Sequence, residues 1–204
     1  MVADSITARC GCGAVEATVR DTAGVVRLVC MCRGCQTYAR FLGREEDMLD
    51  AAGGTDLYML APAQVSITAG AEELRCARMT SRGAMRWYAG CCRTPVANSL
   101  ESSRVAWLSM SHVFMDHPEG LSREEGFAPV RWRIHARYAR RAVEGAHRTV
   151  PPALALWALG TLGRATLRGQ QRPSPFFRED GSPRSAPVVL DAEQRAALGY
   201  GDHG

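Results

Sequence analysis

Eight cysteines occur among the 204 residues, and seven of them fall into three short groups. Cys10-Gly11-Cys12-Gly13 is the first, Cys30-Met31-Cys32-Arg33-Gly34-Cys35 the second and Cys91-Cys92 the third, while Cys76 stands alone. Thiolates bind zinc tetrahedrally at about 2.3 Å, and a Cys-x-Cys or Cys-x-x-Cys turn brings two sulfurs onto one ion. Gly11, Gly13 and Gly34 supply the backbone freedom such turns need. Buried free cysteines are common singly but rarely grouped in this way, so the pattern points to metal. Cys30, Cys32 and Cys35 lie within six residues and can hold one ion alone. Three protein ligands leave a fourth position for water or a substrate, as in catalytic zinc sites. Cys10 and Cys12 need partners from elsewhere, and Cys91-Cys92 is the natural source. A closed thiolate site of that kind would pin distant strands together. Cys76 lies in an expected strand without a sequence partner and reads as core.

The elements that must carry these groups differ between the two halves. In the first half, residues 5–9, 15–19 and 64–68 alternate or carry β-branched residues and read as strands. Residues 25–29 form an apolar strand running into Cys30, and residues 74–79 and 84–88 flank a hairpin turn at Ser81-Arg82-Gly83. Gly53-Gly54-Thr55-Asp56 marks a loop, and no helix is evident in this half. After about residue 115 the composition changes. His117-Pro118-Glu119-Gly120 is a turn signal. Residues 129–146 read as a helix, with Trp132, Ala136, Ala139 and Val143 on one face and arginines over much of the rest. Pro151-Pro152 open a second helix over 153–168 that Gly169 ends. A Pro-, Ser- and Arg-rich loop spans 170–187, and Asp191, with Gln194 three residues on, caps a last short helix stopped by Gly199. The organisation expected is a mainly β, zinc-tethered domain over 1–115 with an α-helical extension over 116–204 packing on it.

Composition narrows the function. The hydrophobic fraction of 46% suffices for a core, and a formal charge of +4 is too mild to argue for nucleic acid. Seven metal-bound thiolates and two divalent ions would bring that charge down to about +1. Arg131, Arg133, Arg137, Arg140, Arg141 and Arg148 would form a basic face on the expected helix, but few aromatics interleave with them and a solvated face is the reading adopted. No segment reaches the ~20 apolar residues of a membrane span. Met1 to Thr7 hold no basic region followed by an apolar stretch, so cytoplasmic residence is expected, where short cysteine spacings favour metal over disulfides. His112, His117, His135 and His147 show no paired spacing and read as structural or exposed, with His203 in a frayed tail. Phe176-Phe177 reads as an apolar anchor for the tail. Trp157 with Leu154, Leu156, Leu159 and Leu162 makes the helix over 153–168 strongly apolar, so it docks on the β domain or pairs with a second copy as a homo-oligomer, with weak membrane contact a further option.

The order of motifs resembles the glutathione-dependent formaldehyde-activating enzyme family, whose domain also occurs in centromere protein V. The resemblance rests on Cys-x-Cys-Gly-x-Val at 10–15, Cys-x-Cys-x-x-Cys at 30–35 and an Arg-x-Tyr element, Arg86-Trp87-Tyr88, before the late cysteine pair. It covers roughly residues 5–110. It implies a zinc-tethered, Mss4-like β-rich fold and carbon–sulfur lyase chemistry. Cys10 and Cys12 would then be ligands of a structural zinc, and Cys30, Cys32 and Cys35 would hold the catalytic zinc. The late family motif is aromatic-Cys-x-x-Cys-Gly followed by Thr-Pro. In Tyr88-Ala89-Gly90-Cys91-Cys92-Arg93-Thr94-Pro95, Cys92 matches the second family cysteine, Ala89 stands at the first and Arg93 replaces the glycine. The fourth structural ligand is thus open between Cys91, a histidine and water, or the site holds no metal. Neighbouring side chains diverge in an extended chain, which counts against Cys91.

Carried through, the resemblance implies a zinc that binds a small thiol such as glutathione and lowers its pKa, so that the thiolate adds to an aldehyde or is released from the adduct. Arg33, Arg86 and Arg93 are candidates to attract a substrate carboxylate, each with a plain reading as a solvated surface arginine. The competing function is a zinc-stabilised binding module without catalysis.

Overall fold

The structure, a computed structural model, describes residues 5–22, 24–115 and 129–200. Eleven strands dominate these residues: β1 (Ser5–Arg9), β2 (Glu16–Arg20), β3 (Val26–Cys30), β4 (Thr55–Leu60), β5 (Val65–Ala69), β6 (Leu74–Arg78), β7 (Met85–Ala89), β8 (Pro95–Ser99), β9 (Leu108–Ser111), β10 (Val130–Ile134) and β11 (Pro187–Val189). Four α-helices accompany them: α1 (Arg33–Leu42), α2 (Glu45–Met48), α3 (Pro152–Leu167) and α4 (Ala192–Ala197). The expectation of a mainly β chain therefore holds.

The strands form two sheets. A three-stranded antiparallel sheet has the order β1-β2-β5. An eight-stranded sheet has the order β10-β3-β4-β9-β8-β7-β6-β11. Its six inner strands pair antiparallel, whereas β10 joins β3 and β11 joins β6 in parallel. Residues after 115 thus supply both outer strands as well as α3 and α4. The main core includes Ala8, Ala17 and Val19 of the small sheet with Trp87, Val96, Leu108 and Met110 of the large one. Trp87 is fully buried, and the rings of Phe176 and Phe177 lie 5.0 and 6.0 Å from it. An aromatic of this size hides roughly 150–250 Å² from water, worth about 4–6 kcal/mol before entropy is counted. The Phe176-Phe177 pair is the anchor that the sequence suggested.

Two expectations are overturned. The first half contains a helix, α1, whose buried Cys35, Tyr38, Ala39 and Leu42 recur at helical spacing and whose end is capped by Gly43 at φ 65°. Its signal was masked by the cysteine motif that overlaps its first turn. Residues 129–146 are not a helix. Val130-Arg131-Trp132-Arg133-Ile134 alternates apolar and charged residues with period 2, and the chain there is strand β10, followed by a 3-10 turn at Ala136–Tyr138. The arginines expected on one helix are accordingly dispersed: Arg131 lies over the rings of Trp132 and Trp157, Arg137 over Tyr138, and Arg140 pairs with Glu45 at 2.8 Å. Residues 53–56 were read as a loop, yet Thr55 and Asp56 begin β4. The helix expected over 153–168 is α3, and the Asp191–Gln194 capping box opens α4 with bonds of 2.8 and 3.0 Å. The turn at 117–120, His117 and His203 lie outside the described residues. No helix among the described residues is long and apolar enough to cross a membrane.

Candidate metal centres

The first centre is assembled from two loops 80 residues apart in sequence. The β1–β2 connection turns tightly: Gly13 N–H donates to Cys10 O, Cys10 N–H to Val15 O, and Val15 N–H to Cys10 Sγ at 3.2 Å. The β7–β8 connection closes through Ala89 N–H on Thr94 O and Arg93 N–H on Ala89 O. Thr94 fastens the two loops together. Its buried hydroxyl accepts from Gly11 N–H at 2.9 Å and lies 3.1 Å from Cys92 Sγ. The sulfurs of Cys10, Cys12, Cys91 and Cys92 all come within 4.8 Å of one another. Sγ to Sγ distances are 3.5 Å for Cys10–Cys12, 3.8 Å for Cys10–Cys91, 3.4 Å for Cys12–Cys91 and 3.8 Å for Cys91–Cys92. A tetrahedral ion with bonds of about 2.3 Å needs sulfurs about 3.8 Å apart, so the four side chains fit a closed thiolate site.

Cys91 therefore stands with the other three. The chain at Cys91-Cys92 turns rather than extends, so the divergence of neighbouring side chains does not apply. Arg93 takes a left-handed φ of 58°, the conformation for which glycine is favoured, and that is the position where Arg93 replaces the glycine of the motif. Ala89 is fully buried and closes the turn. No histidine joins either sulfur group among the described residues. The Cys92 thiol is pulled down to about 6: burial opposes its charge, but the Thr94 hydroxyl and backbone N–H outweigh it. Cys91 is pushed up, first by burial and then by its bonds with Cys12, Cys92 and Cys10.

The second centre is local. Cys30 ends β3, Cys32 is the N-cap of α1 and Cys35 lies in its first turn, with the three sulfurs within 4.8 Å of one another. Cys30 and Cys35 are buried, and Cys32 is partly exposed. Cys32 Sγ accepts the Cys35 N–H at 3.4 Å, so it sits at the positive end of α1. Hydrogen bonds from Cys30 and Cys35 hold its thiol well below the usual value, with Arg86 helping. The Cys30 thiol is pushed well up by its bonds with Cys32 and Cys35 and by burial. Cys35 gains acidity from Cys30, but its bond with Cys32 and its burial outweigh that and push it up to about 11. One thiol of the group is thus held low and the other two high. Soft thiolates in sets of four and three are a donor chemistry that zinc accepts.

The flanking arginines separate into different settings. Arg86, on β7, is buried; its Nη1 donates to Asn98 Oδ1 at 3.2 Å and to Cys35 Sγ at 3.7 Å, and the guanidinium lies over the Tyr38 ring at 5.2 Å. Arg33 is half-buried over Tyr138 at 4.8 Å, and Arg93 is exposed. A reading of Arg86 as a solvated surface arginine is therefore corrected: β7 is an inner strand. Sequence reasoning also passed over Thr94 as more than a register mark, and the contacts of Tyr38 and Asn98 carry no sequence signal. Cys76 is buried in the core, where burial pushes its thiol up to about 12. Apart from these centres, a cavity of about 290 Å³ opens beneath α3, lined in part by Met59, Leu60, Trp107, Trp157 and Leu162.

A family model described as a family of unknown function, DUF6151, matches residues 2–186. The chain belongs to this family. Both cysteine centres of this DUF6151 chain lie inside the matched span. A comparison of it with curated proteins finds no match. Among solved structures, it is similar to the crystal structure of a Rhodobacter sphaeroides protein from structural genomics, at 20% identity and a TM-score of 0.39, over 61% of this chain and 97% of that one.

Proposed function

We propose that this chain is a zinc protein with a closed structural site at Cys10, Cys12, Cys91 and Cys92 and an open site at Cys30, Cys32 and Cys35 that binds a small thiol or its adduct with an aldehyde. The observation that carries the reading is the unequal gathering of the sulfurs, four in one place and three in the other. Four thiolates complete a tetrahedron, whereas three leave one position for a ligand. Zinc held by the three would supply an open Lewis-acidic position that lowers the pKa of a thiol. The protein's own groups fit such a role. Cys32 is partly exposed, whereas Cys30 and Cys35 are buried, so solvent reaches the group at Cys32. Trp132 and Trp157 pack against the apolar cluster that contains Cys30 and Cys35, and so limit water around it.

The motif order described above supports a carbon–sulfur lyase resembling the glutathione-dependent formaldehyde-activating enzymes. In that reaction class the thiol adds across the carbonyl: a C–S bond forms, the C=O double bond becomes a single bond, and the sulfur's proton ends on oxygen. The reverse reaction releases thiol and aldehyde. A second reading, a zinc-stabilised binding module without turnover, is favoured by the burial of two of the three sulfurs. Exposed leucines on α3, Leu156, Leu159 and Leu167, also favour a role in association with a second copy.

Metal content by mass spectrometry tests the sites. Two zinc ions in the wild type, and one each in Cys32→Ala and Cys91→Ala, are expected; zinc that survives Cys32→Ala unchanged removes the open site. Calorimetric titration of the zinc-loaded chain with glutathione then separates the two readings. Heat that disappears in Cys32→Ala supports the thiol site, and no heat in the loaded wild type leaves the binding module.

A further inference from the structure

A buried charge is costly unless something compensates it. Two other buried arginines have carboxylates: Arg27 lies with Asp56, and Arg78 with Glu101 at 2.9 Å. Arg86 has none within ion-pair distance among the described residues. Its polar partners are the Asn98 amide oxygen and Cys35 Sγ, and Tyr38 offers the face of its ring.

The surroundings hold the guanidinium in place. Arg86 faces Asn98 across β7 and β8, and Asn98 faces Ser109 across β8 and β9. Asn98 Nδ2 donates to Ser109 Oγ at 3.0 Å, which turns its Oδ1 toward Arg86. From the other side α1 brings Gly34 so close that an added Cβ would lie 2.8 Å from Arg86 Nη2. Glycine at this position thus makes room for the guanidinium beside the sulfurs.

The geometry points to Arg86 as the fixed counter-charge of the three-cysteine centre, a positioning residue that makes the site selective for a divalent ion. Three thiolates around a divalent cation carry one net negative charge, and while the fourth position is empty or holds a neutral ligand one guanidinium brings the buried assembly to neutrality. A monovalent ion leaves it negative and a trivalent ion leaves it positive, and each imbalance is penalised by burial. The N–H donated to Cys35 also orients that sulfur, as outer hydrogen bonds orient metal ligands elsewhere. This inference rests on the proposed zinc site and adds to it the residue that balances its charge.

The test uses the full-length chain equilibrated with zinc against graded chelator, with bound metal measured by mass spectrometry. In Arg86→Gln the ion at Cys30, Cys32 and Cys35 should be released at a chelator strength about 10–100-fold weaker than in the wild type, while the four-cysteine ion is unmoved. Arg86→Lys keeps the charge but cannot serve both Cys35 and Asn98, and should fall between the two. In the cobalt-substituted chain, loss of the N–H···S bond should move the thiolate-to-cobalt absorption to longer wavelength in Arg86→Gln. A purely structural role would weaken the fold and leave both readouts where they were. Should Arg86→Gln not fold, Arg86→Met, which removes the charge with a side chain of similar reach, carries the same comparison, and wild-type affinity with an unshifted band in it overturns the inference. Equal affinity and equal spectra in the wild type and Arg86→Gln overturn the inference alone. A wild-type chain that binds no metal at the three cysteines overturns the proposed function, and this inference with it.

Discussion

At the scale of single residues, the two centres were legible in the cysteines because metal ligands are chemically scarce and their spacing is a local property. The charge at Arg86 was not legible. Its neighbours Cys35, Tyr38 and Asn98 are brought to it by strand pairing and by α1, over separations of 12 to 51 residues. Arg93 illustrates a departure whose cost can be measured. A left-handed residue other than glycine costs about 1–2 kcal/mol, and glycine returns part of the gain through its freer unfolded chain. Arg93→Gly should therefore stabilise the protein by about 0.5–1 kcal/mol, read as a higher urea midpoint at unchanged slope. Cys76 makes a prediction in pH. Its thiol titrates at about 12 in the fold against an ordinary 9.0, so both states are neutral below 9.0 and the stability is fully present there. Between 9.0 and about 12 the unfolded chain loses the proton and the fold must keep it. Stability should then fall by at most about 1.4 kcal/mol per pH unit, and Cys76→Ala should show a shallower fall in denaturant melts across that range.

At the scale of elements, the strands of the first half were readable from alternation, and α3 and α4 from their proline, aspartate and glycine boundaries. Strand β10 was misread because Trp132, Ala136, Ala139 and Val143 also fit a helical face, and a short segment supports both periods. What decides it is tertiary: the outer position beside β3 is available, and Val130-to-Ile134 pairs there in parallel with Arg27-to-Cys30. Strand β8 shows the converse, a run of polar residues in a buried element. Asn98 and Ser99 are buried because they bond to Arg86, Ser109 and Trp87 Nε1. The cap of α4 offers a clean local test. Asp191→Ala removes the bond to Gln194 N–H and should cost about 1 kcal/mol in α4, seen as faster amide hydrogen exchange over 192–197 with little change elsewhere.

At the scale of the whole molecule, the last third of the chain is structural to the sheet. β10 and β11 occupy its two outer positions, and Phe176 and Phe177 close over Trp87. The sequence suggested an extension packing on a β domain, but it carried no sign of the parallel edge pairings, because which strand meets which, and in what direction, is not recorded in a strand's own residues. Phe176→Ala should destabilise the chain by about 3–5 kcal/mol, measured by thermal or denaturant unfolding, although the residue lies in a loop.

The fastening at Thr94 has one more consequence. The four sulfurs that meet there come from a hairpin of the small sheet and a turn of the large one, so a metal bound to them closes a ring of some eighty residues. A newly made chain could not close that ring until the ribosome had delivered Cys92, and afterwards only with such an ion at hand. The hairpin waits unfastened in the meantime, within reach of proteases. Cellular half-life, rather than catalytic rate, would then be the first property to follow the supply of the ion.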